Sequence, residues 1–178
     1  MALWTRLGTR LGALLAALGA LAGCDDGTVI TRVTNFTGGG RDYVIPFAAG
    51  GLPTEIHGAP FAGVTAEEVA AKLRLPPRFP AAIRFRAVAP GAGVAGRLVL
   101  AFNPEGPPNG MALCAPAAPP RLTPPRAVGF AVTATLCNGG RVLTTGHLEA
   151  SKTRADDPQA FSHAMTRLFT ALFEGDSR

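Results

Sequence analysis

The chain has 178 residues, enough for one domain of ordinary size. Its formal net charge is +5, but the 17 basic residues are scattered along the chain and only 7% of all residues are aromatic. The basic stripes and stacking aromatic platforms of nucleic-acid binders are missing, so nucleic acid is excluded as a partner.

The first predicted element is an export signal. Arg6 and Arg10 precede an apolar run from Leu11 to Gly23, which is the order of charged and apolar residues found in signal peptides. The run has 13 residues, whereas a helix that crosses a bilayer needs about 20, so a permanent transmembrane span is disfavoured. Residues 1–23 are therefore predicted to be a signal peptide.

A specific motif closes this run. Leu21-Ala22-Gly23-Cys24 resembles, at every position, the lipobox of bacterial lipoproteins. The resemblance implies cleavage before Cys24, a diacylglycerol on its sulfur and acylation of the new amino terminus, for example with palmitate. Several acyl chains hold a protein stably where a single chain is marginal, so the expected partner of this end of the chain is a membrane.

Two acidic residues, Asp25 and Asp26, follow the cysteine directly. An aspartate at this position is similar to the inner-membrane retention signal of proteobacterial lipoproteins. The resemblance implies a protein anchored on the periplasmic face of the inner membrane, with the outer membrane as the alternative.

The segment 24–41 is polar and contains three consecutive glycines at 38–40. We predict that it is a tether, and that a single domain follows at 42–175. A strand from Val29 to Phe36 is the alternative for part of the tether.

Two short runs at the start of the domain, Asp42–Ala48 and Leu52–His57, have β-like composition. Each contains a proline, which favours edge strands or irregular structure. Glu55 and His57 would lie on the same side of an extended segment. They mark a candidate functional loop, and the alternative is an edge strand that feeds the following helix.

Two helices are predicted from capping residues. Thr65 with Glu68 three residues later forms a capping box that starts a helix over Ala66–Leu75. Asp157 caps a second helix, Pro158–Phe173, whose apolar residues recur at helical spacing.

Apolar patterning predicts strands at Ala82–Val88, Arg97–Asn103 and Ala127–Cys137. The intervening Gly91–Gly96 spells a dinucleotide-binding glycine pattern. A β-patterned run follows it where that pattern requires a helix, so we interpret it as a hairpin loop.

The turn after the third strand is Asn138-Gly139-Gly140. A three-residue loop that pairs Cys137 with Arg141 would place the apolar residues of both strands on one face. We therefore predict a three-residue hairpin loop.

A proline-rich segment without periodicity, Pro104–Pro125, separates the second and third of these strands. Its function could be to dock a partner, and the alternative is a loop excursion held by Cys114. Cys114 and Cys137 remain as an even pair once Cys24 carries lipid, and in an oxidising compartment they are expected to form a disulfide. Two separate buried thiols are the alternative.

Signs of catalysis or metal binding are sparse. The three histidines lie far apart in the sequence without metal-ligand spacing, and none of the three serines sits in a nucleophile elbow. The sequence therefore predicts no metal site, no cofactor and no catalytic residue, and hence not an enzyme.

These observations predict an α+β domain with an antiparallel sheet of about four to five strands and two helices packed on one face. The chain broadly resembles the small α/β lipoproteins of proteobacterial envelopes. The leading functional hypothesis is a non-enzymatic accessory factor that binds an envelope protein. A small envelope hydrolase and a carrier of lipid or small molecules are the alternatives: a polar cluster around His57 would favour the hydrolase and a large apolar cavity the carrier.

Overall fold

A mixed six-stranded sheet forms the centre of the protein in the computed structural model, which describes residues 27–35, 41–115 and 119–174. The strands are β1 Thr28–Asn35, β2 Leu52–His57, β3 Phe85–Val88, β4 Gly96–Phe102, β5 Val128–Asn138 and β6 Arg141–Arg154. The helices are α1 Arg41–Val44, α2 Ala66–Lys72, α3 Gly110–Cys114 and α4 Pro158–Phe173, and a 3-10 turn at Ile45–Ala48 follows α1.

The strand order is β1-β6-β5-β4-β2-β3. The pairs β1–β6, β6–β5 and β5–β4 are antiparallel, whereas β2 runs parallel to both β3 and β4. The α+β class is thus confirmed, but the expectation of a purely antiparallel sheet with four to five strands is wrong. The parallel pairing arises because α2 connects β2 to β3 as a crossover, which returns the chain in the same direction.

One face of the sheet packs against α2 and α4. Leu98 and Leu100 of β4 belong to the same buried cluster as Val69 of α2 and Leu168 of α4. Helix α4 has the predicted bounds, since Asp157 caps it by accepting a hydrogen bond from the Ala160 backbone N–H at 2.9 Å.

Helix α2 is shorter than predicted. The capping box of Thr65 and Glu68 is confirmed, but the helix ends at Lys72 rather than at Leu75. Leu73 has extended dihedral angles, φ −69° and ψ 142°, and is only 2% exposed. Its burial in the core takes the chain out of helical geometry before the prolines at 76 and 77 are reached.

The opposite face of the sheet, which we call the disulfide face, carries α3 and a second buried cluster that includes Val99, Ala101 and Leu113. The predicted disulfide is confirmed: Cys114 of α3 and Cys137 of β5 are joined, with their Cα atoms 5.5 Å apart. Part of the proline-rich segment is therefore fixed against the sheet by a covalent bond.

Two of the segments before β2 differ from expectation. The tether was predicted to cover 24–41, yet Thr28–Asn35 within it is β1, which pairs with β6 from Thr28 opposite Ala150 onward. Asp42–Ala48 was predicted to be β-like, but α1 and the 3-10 turn occupy 41–48. Pro46 lies in the first turn of that 3-10 segment, where its missing N–H costs no hydrogen bond.

The β5–β6 hairpin also differs. Asn138 pairs with Arg141, so the turn has two residues rather than three, and Gly139 supplies the positive φ of +60° that such turns need. Leu136 pairs with Thr144 while Cys137 pairs with Val142, which leaves Leu143 as a bulge. Because of the bulge, the apolar residues of the two strands lie on the same face of the sheet. The prediction had reached this arrangement with a three-residue loop.

The interpretation of Gly91–Gly96 as a hairpin loop is wrong. Strands β3 and β4 lie on either side of β2 and run parallel to it, so residues 89–95 cross over β2. Strand β2 is consequently internal, not an edge. It tolerates Pro53 because pairing with β4 begins only at Thr54.

Candidate functional site

An open cleft with a volume of about 460 Å³ lies on the disulfide face. Three segments form its walls: the 89–95 crossover, the turn at Gly139-Gly140, and the end of α3 at Cys114. Strands β2 and β4 contribute Glu55, His57 and Arg97 to it.

Strand geometry brings the two sequence-predicted residues together. Alternate side chains of β2 point to opposite faces, so Ile56 packs in the helix-side core while Glu55 and His57 face the cleft. The prediction that they share one side is confirmed, but they lie on a strand rather than in a loop.

Glu55 is the centre of a buried polar network. Its Oε1 is 2.8 Å from His57 Nε2, and its Oε2 accepts a hydrogen bond from Arg97 Nε at 3.0 Å. Glu55 is 5% exposed and Arg97 is 9% exposed. The attraction between the two opposite charges and their hydrogen bonds offset the desolvation penalty that burial imposes on each of them.

Arg97 fixes the walls of the cleft. Its Nη1 donates to the carbonyls of Val94 at 3.2 Å and Gly139 at 3.1 Å, and its Nη2 donates to the carbonyl of Cys114 at 2.9 Å. One side chain thereby links the crossover, the hairpin turn and α3 to strand β4.

His57 contributes an imidazole ring to this network. Its Nε2 contacts Glu55, and within the described part of the chain its Nδ1 has no hydrogen bond. In the neutral ring, a carboxylate at Nε2 favours the tautomer with hydrogen on that atom, and Nδ1 is then an acceptor. The cleft therefore offers one imidazole acceptor to a ligand.

The remaining chemistry of the cleft is limited. Apart from Glu55, His57, Arg97 and Cys114, the described residues that line it are glycine, proline, alanine and valine. Cys114 is held in the disulfide. This lining therefore contains no hydroxyl, free thiol or second carboxylate that could serve as a nucleophile or as a partner in acid-base catalysis.

The described part of the chain also shows no group of three or more side chains placed to hold a metal ion. None of its helices combines the length and apolar character needed to cross a bilayer. Cys24, Asp25 and Asp26 lie outside the described residues.

The sequence predicts Arg97 only as the first residue of a strand, not as a residue of the site. A signal was present, because Arg97 directly precedes the run Leu98 to Phe102, which is apolar on both faces. A charged residue attached to such a run needs a buried partner of opposite charge. The signal does not identify Glu55, since the two residues are 42 positions apart.

Comparison of the chain with protein-family models, with curated proteins and with solved structures yields no match.

Proposed function

We propose that this protein is a lipid-anchored envelope lipoprotein that acts as a non-enzymatic binding factor, and that the cleft on the disulfide face receives a segment of its protein partner. The observation that carries this proposal is the composition of the cleft. Its walls are mostly backbone and small apolar side chains, and its charged groups Glu55 and Arg97 already satisfy each other. Such a surface suits binding by shape and by backbone hydrogen bonds.

The anchor in this proposal is Cys24, with the signal peptide at 1–23 removed. The support is the lipobox at Leu21–Cys24. Asp25 and Asp26 support retention on the periplasmic face of the inner membrane, and the outer membrane is the alternative location.

A small hydrolase is the second candidate, and the Glu55–His57 contact of 2.8 Å favours it. In this case the carboxylate would orient the imidazole and Nδ1 would take a proton from a water molecule. The described cleft lining supplies no nucleophile for a covalent route, so any hydrolysis would depend on that water alone.

A carrier of lipids is less well supported. The enclosed apolar pocket between α2 and α4, lined by Phe61, Val69 and Phe161, has a volume of only about 10 Å³. The larger hollows, about 460 Å³ in the cleft and about 290 Å³ beside α1, are open at the surface, whereas a carrier must bury most of its ligand.

A photo-crosslinking experiment tests the binding proposal. Benzoylphenylalanine is placed at Val94 in the cleft, and the adducts formed in cells are compared with and without Gly140→Phe. Gly140 has no positive φ and open space where its Cβ would lie, so phenylalanine should fill the cleft without backbone strain. We expect a discrete adduct that Gly140→Phe abolishes.

Gly106→Phe is the matched control, because Gly106 is equally open and exposed but does not line the cleft. It should leave the adduct unchanged. Equal adducts in the Val94 protein with and without Gly140→Phe would rule out the cleft as the docking site. Turnover of an ester or peptide that His57→Ala abolishes would favour the hydrolase instead.

A further inference from the structure

The end of the sheet where β1 begins is fixed close to the chain's amino-terminal segment. The carbonyl oxygen of Gly27 accepts hydrogen bonds from the Ser151 backbone N–H at 2.9 Å and from Ser151 Oγ at 3.1 Å. Thr28 then pairs with Ala150. Gly27 is therefore held against β6, and the described chain starts at a defined point on the sheet.

Only three peptide steps separate Cys24 from Gly27. At no more than about 3.6 Å per residue, their Cα atoms cannot be more than about 11 Å apart. A lipid on Cys24 would consequently hold this end of the sheet within about that distance of the lipid headgroups.

The same end exposes apolar side chains. Val29 near the start of β1 is 56% exposed, and Val128 at the start of β5 is 45% exposed. Val128 lies opposite Arg154, the last residue of β6, so it is two strands away from β1 but at the same end of the sheet. We call Gly27, Val29, Val128 and Arg154 the anchor end.

Charge at the anchor end is mixed. The exposed Arg154 is paired with Asp156, its Nε lying 3.1 Å from Oδ1. The positive charge of Arg154 is therefore balanced locally, and the short link to Cys24 and the two exposed valines are the features that would hold this end on a bilayer.

The cleft extends from the middle of the sheet to its other end. Its hairpin turn precedes Arg141, the first residue of β6, whereas Gly27 is bonded near the last residues of that strand. Nine residue steps from Arg141 to Ala150 at about 3.3 Å each put the hairpin rim about 30 Å away. His57 at the inner end of the cleft is level with His147 across the sheet, so it is only about 10 Å from the level of Ala150.

We propose that the anchor end rests on the phospholipid bilayer and that the cleft faces away from it. This inference rests on the lipid anchor of the proposed function. It also specifies the partner of the cleft: a protein segment in the aqueous compartment, about 10–30 Å along the strands from the anchor end, rather than a segment embedded in lipid.

Single tryptophan reporters test this orientation. The chain's one tryptophan is Trp4, within the predicted signal peptide, so the mature protein has none of its own. Val29→Trp, Val128→Trp and Gly140→Trp variants of the full chain are produced in bacteria. The matured proteins are reconstituted into vesicles of phosphatidylethanolamine and phosphatidylglycerol with brominated acyl chains. We expect brominated lipid to quench the first two reporters several-fold more than Gly140→Trp.

Two controls separate the orientation from the anchor. The mass of the amino-terminal peptide reports acylation of Cys24, and a protein without lipid would defeat the proposed function and this inference together. In acylated protein, a flexible insert of about 20 residues before Gly27, with a span of about 25 Å, should preserve the lipid but lose the quenching.

Other outcomes for acylated protein would overturn the proposal. Equal quenching at Val128→Trp and Gly140→Trp would show that the domain has no preferred end at the membrane. Stronger quenching of Tyr43→Trp than of Val128→Trp would show that the hairpin end of the sheet, rather than the anchor end, meets the membrane. Tyr43 is a suitable reporter of that end because it is 40% exposed on α1 and lies beside Asn138 and Leu143.

Discussion

Arg97 makes four hydrogen bonds, to the Glu55 carboxylate and to three backbone carbonyls. Its removal would leave a buried carboxylate without its cation. We expect Arg97→Met to lower the free energy of unfolding by about 3–5 kcal/mol, measured by urea denaturation. Arg86→Met is the control, because Arg86 is exposed and should change stability by no more than about 0.5 kcal/mol.

The same experiment distinguishes a lost charge pair from lost packing. Adding Glu55→Gln to Arg97→Met removes the orphaned charge, so the double variant should be more stable than the sum of the two single effects predicts. Strictly additive effects would contradict the role of Glu55 as the charge partner of Arg97.

Glu68 gives a pH-dependent prediction. Its pKa is lowered, first by the hydrogen bond that its Oε2 accepts from the Thr65 backbone N–H and also by Thr65 Oγ1 and the nearby Lys72. Because the pKa is lower in the folded state, the stabilisation is complete above the ordinary carboxyl pKa and is lost as pH falls through the lowered value.

We therefore expect Glu68→Gln to be less stable than wild type at neutral pH, with a difference that shrinks below about pH 4. Thermal unfolding followed by circular dichroism across pH measures this. Glu67→Gln is the matched control, since it leaves the capping box intact. A difference that stays constant down to the acid range would contradict the mechanism.

Residues that act locally were predictable from the sequence. Thr65 and Glu68 form their capping box within one helical turn, so both partners are visible in a short window. Glu55 and Arg97 were not predictable as a pair, because their contact depends on β2 and β4 being neighbours in the sheet. Only the shared side of Glu55 and His57 followed from the two-residue repeat of a strand.

Among the elements, α3 depends most on a single bond. It has five residues and is attached to β5 through Cys114 and Cys137. We expect replacement of both cysteines by alanine to cost on the order of 3 kcal/mol in unfolding free energy, measured by chemical denaturation of protein exported to the periplasm. If the wild-type protein is equally stable under reducing and oxidising conditions, the disulfide does not have this role.

The same elements show where patterns fail. Helix α4 was predicted with its bounds because its caps and its apolar stripe agree. β1 was assigned to a tether with a strand only as the alternative, since exposed Val29 and Val33 gain their order from pairing with β6. A short segment without an apolar face carries too little local information to reveal a strand at the edge of a sheet.

For the whole molecule, the proposed location gives a further prediction. If Asp25 and Asp26 retain the protein on the inner membrane, then Asp25→Ser with Asp26→Ser should move it to the outer membrane. Sucrose-gradient fractionation of both forms measures this. A wild-type protein already found in the outer-membrane fraction would refute the retention hypothesis, whatever the variant does.

The overall architecture was predictable only as a class. A set of predicted strands with two predicted helices indicated α+β, but the order β1-β6-β5-β4-β2-β3 was not derivable. The two parallel pairs depend on which strand lies beside β2. The local sequence of the seven residues 89–95 is compatible both with a hairpin loop and with a crossover.

The pairing of the first described strand with the last also determines how the protein can fold. Thr28 pairs with Ala150, so 122 residues must be synthesised after Thr28 before this contact can form. Closing so long a loop costs entropy before the contact stabilises anything, which slows folding. Until β6 arrives, β1 has an unpaired edge on both sides, and an unpaired strand can associate with other chains. Newly made chains should therefore aggregate most readily before β6 is complete.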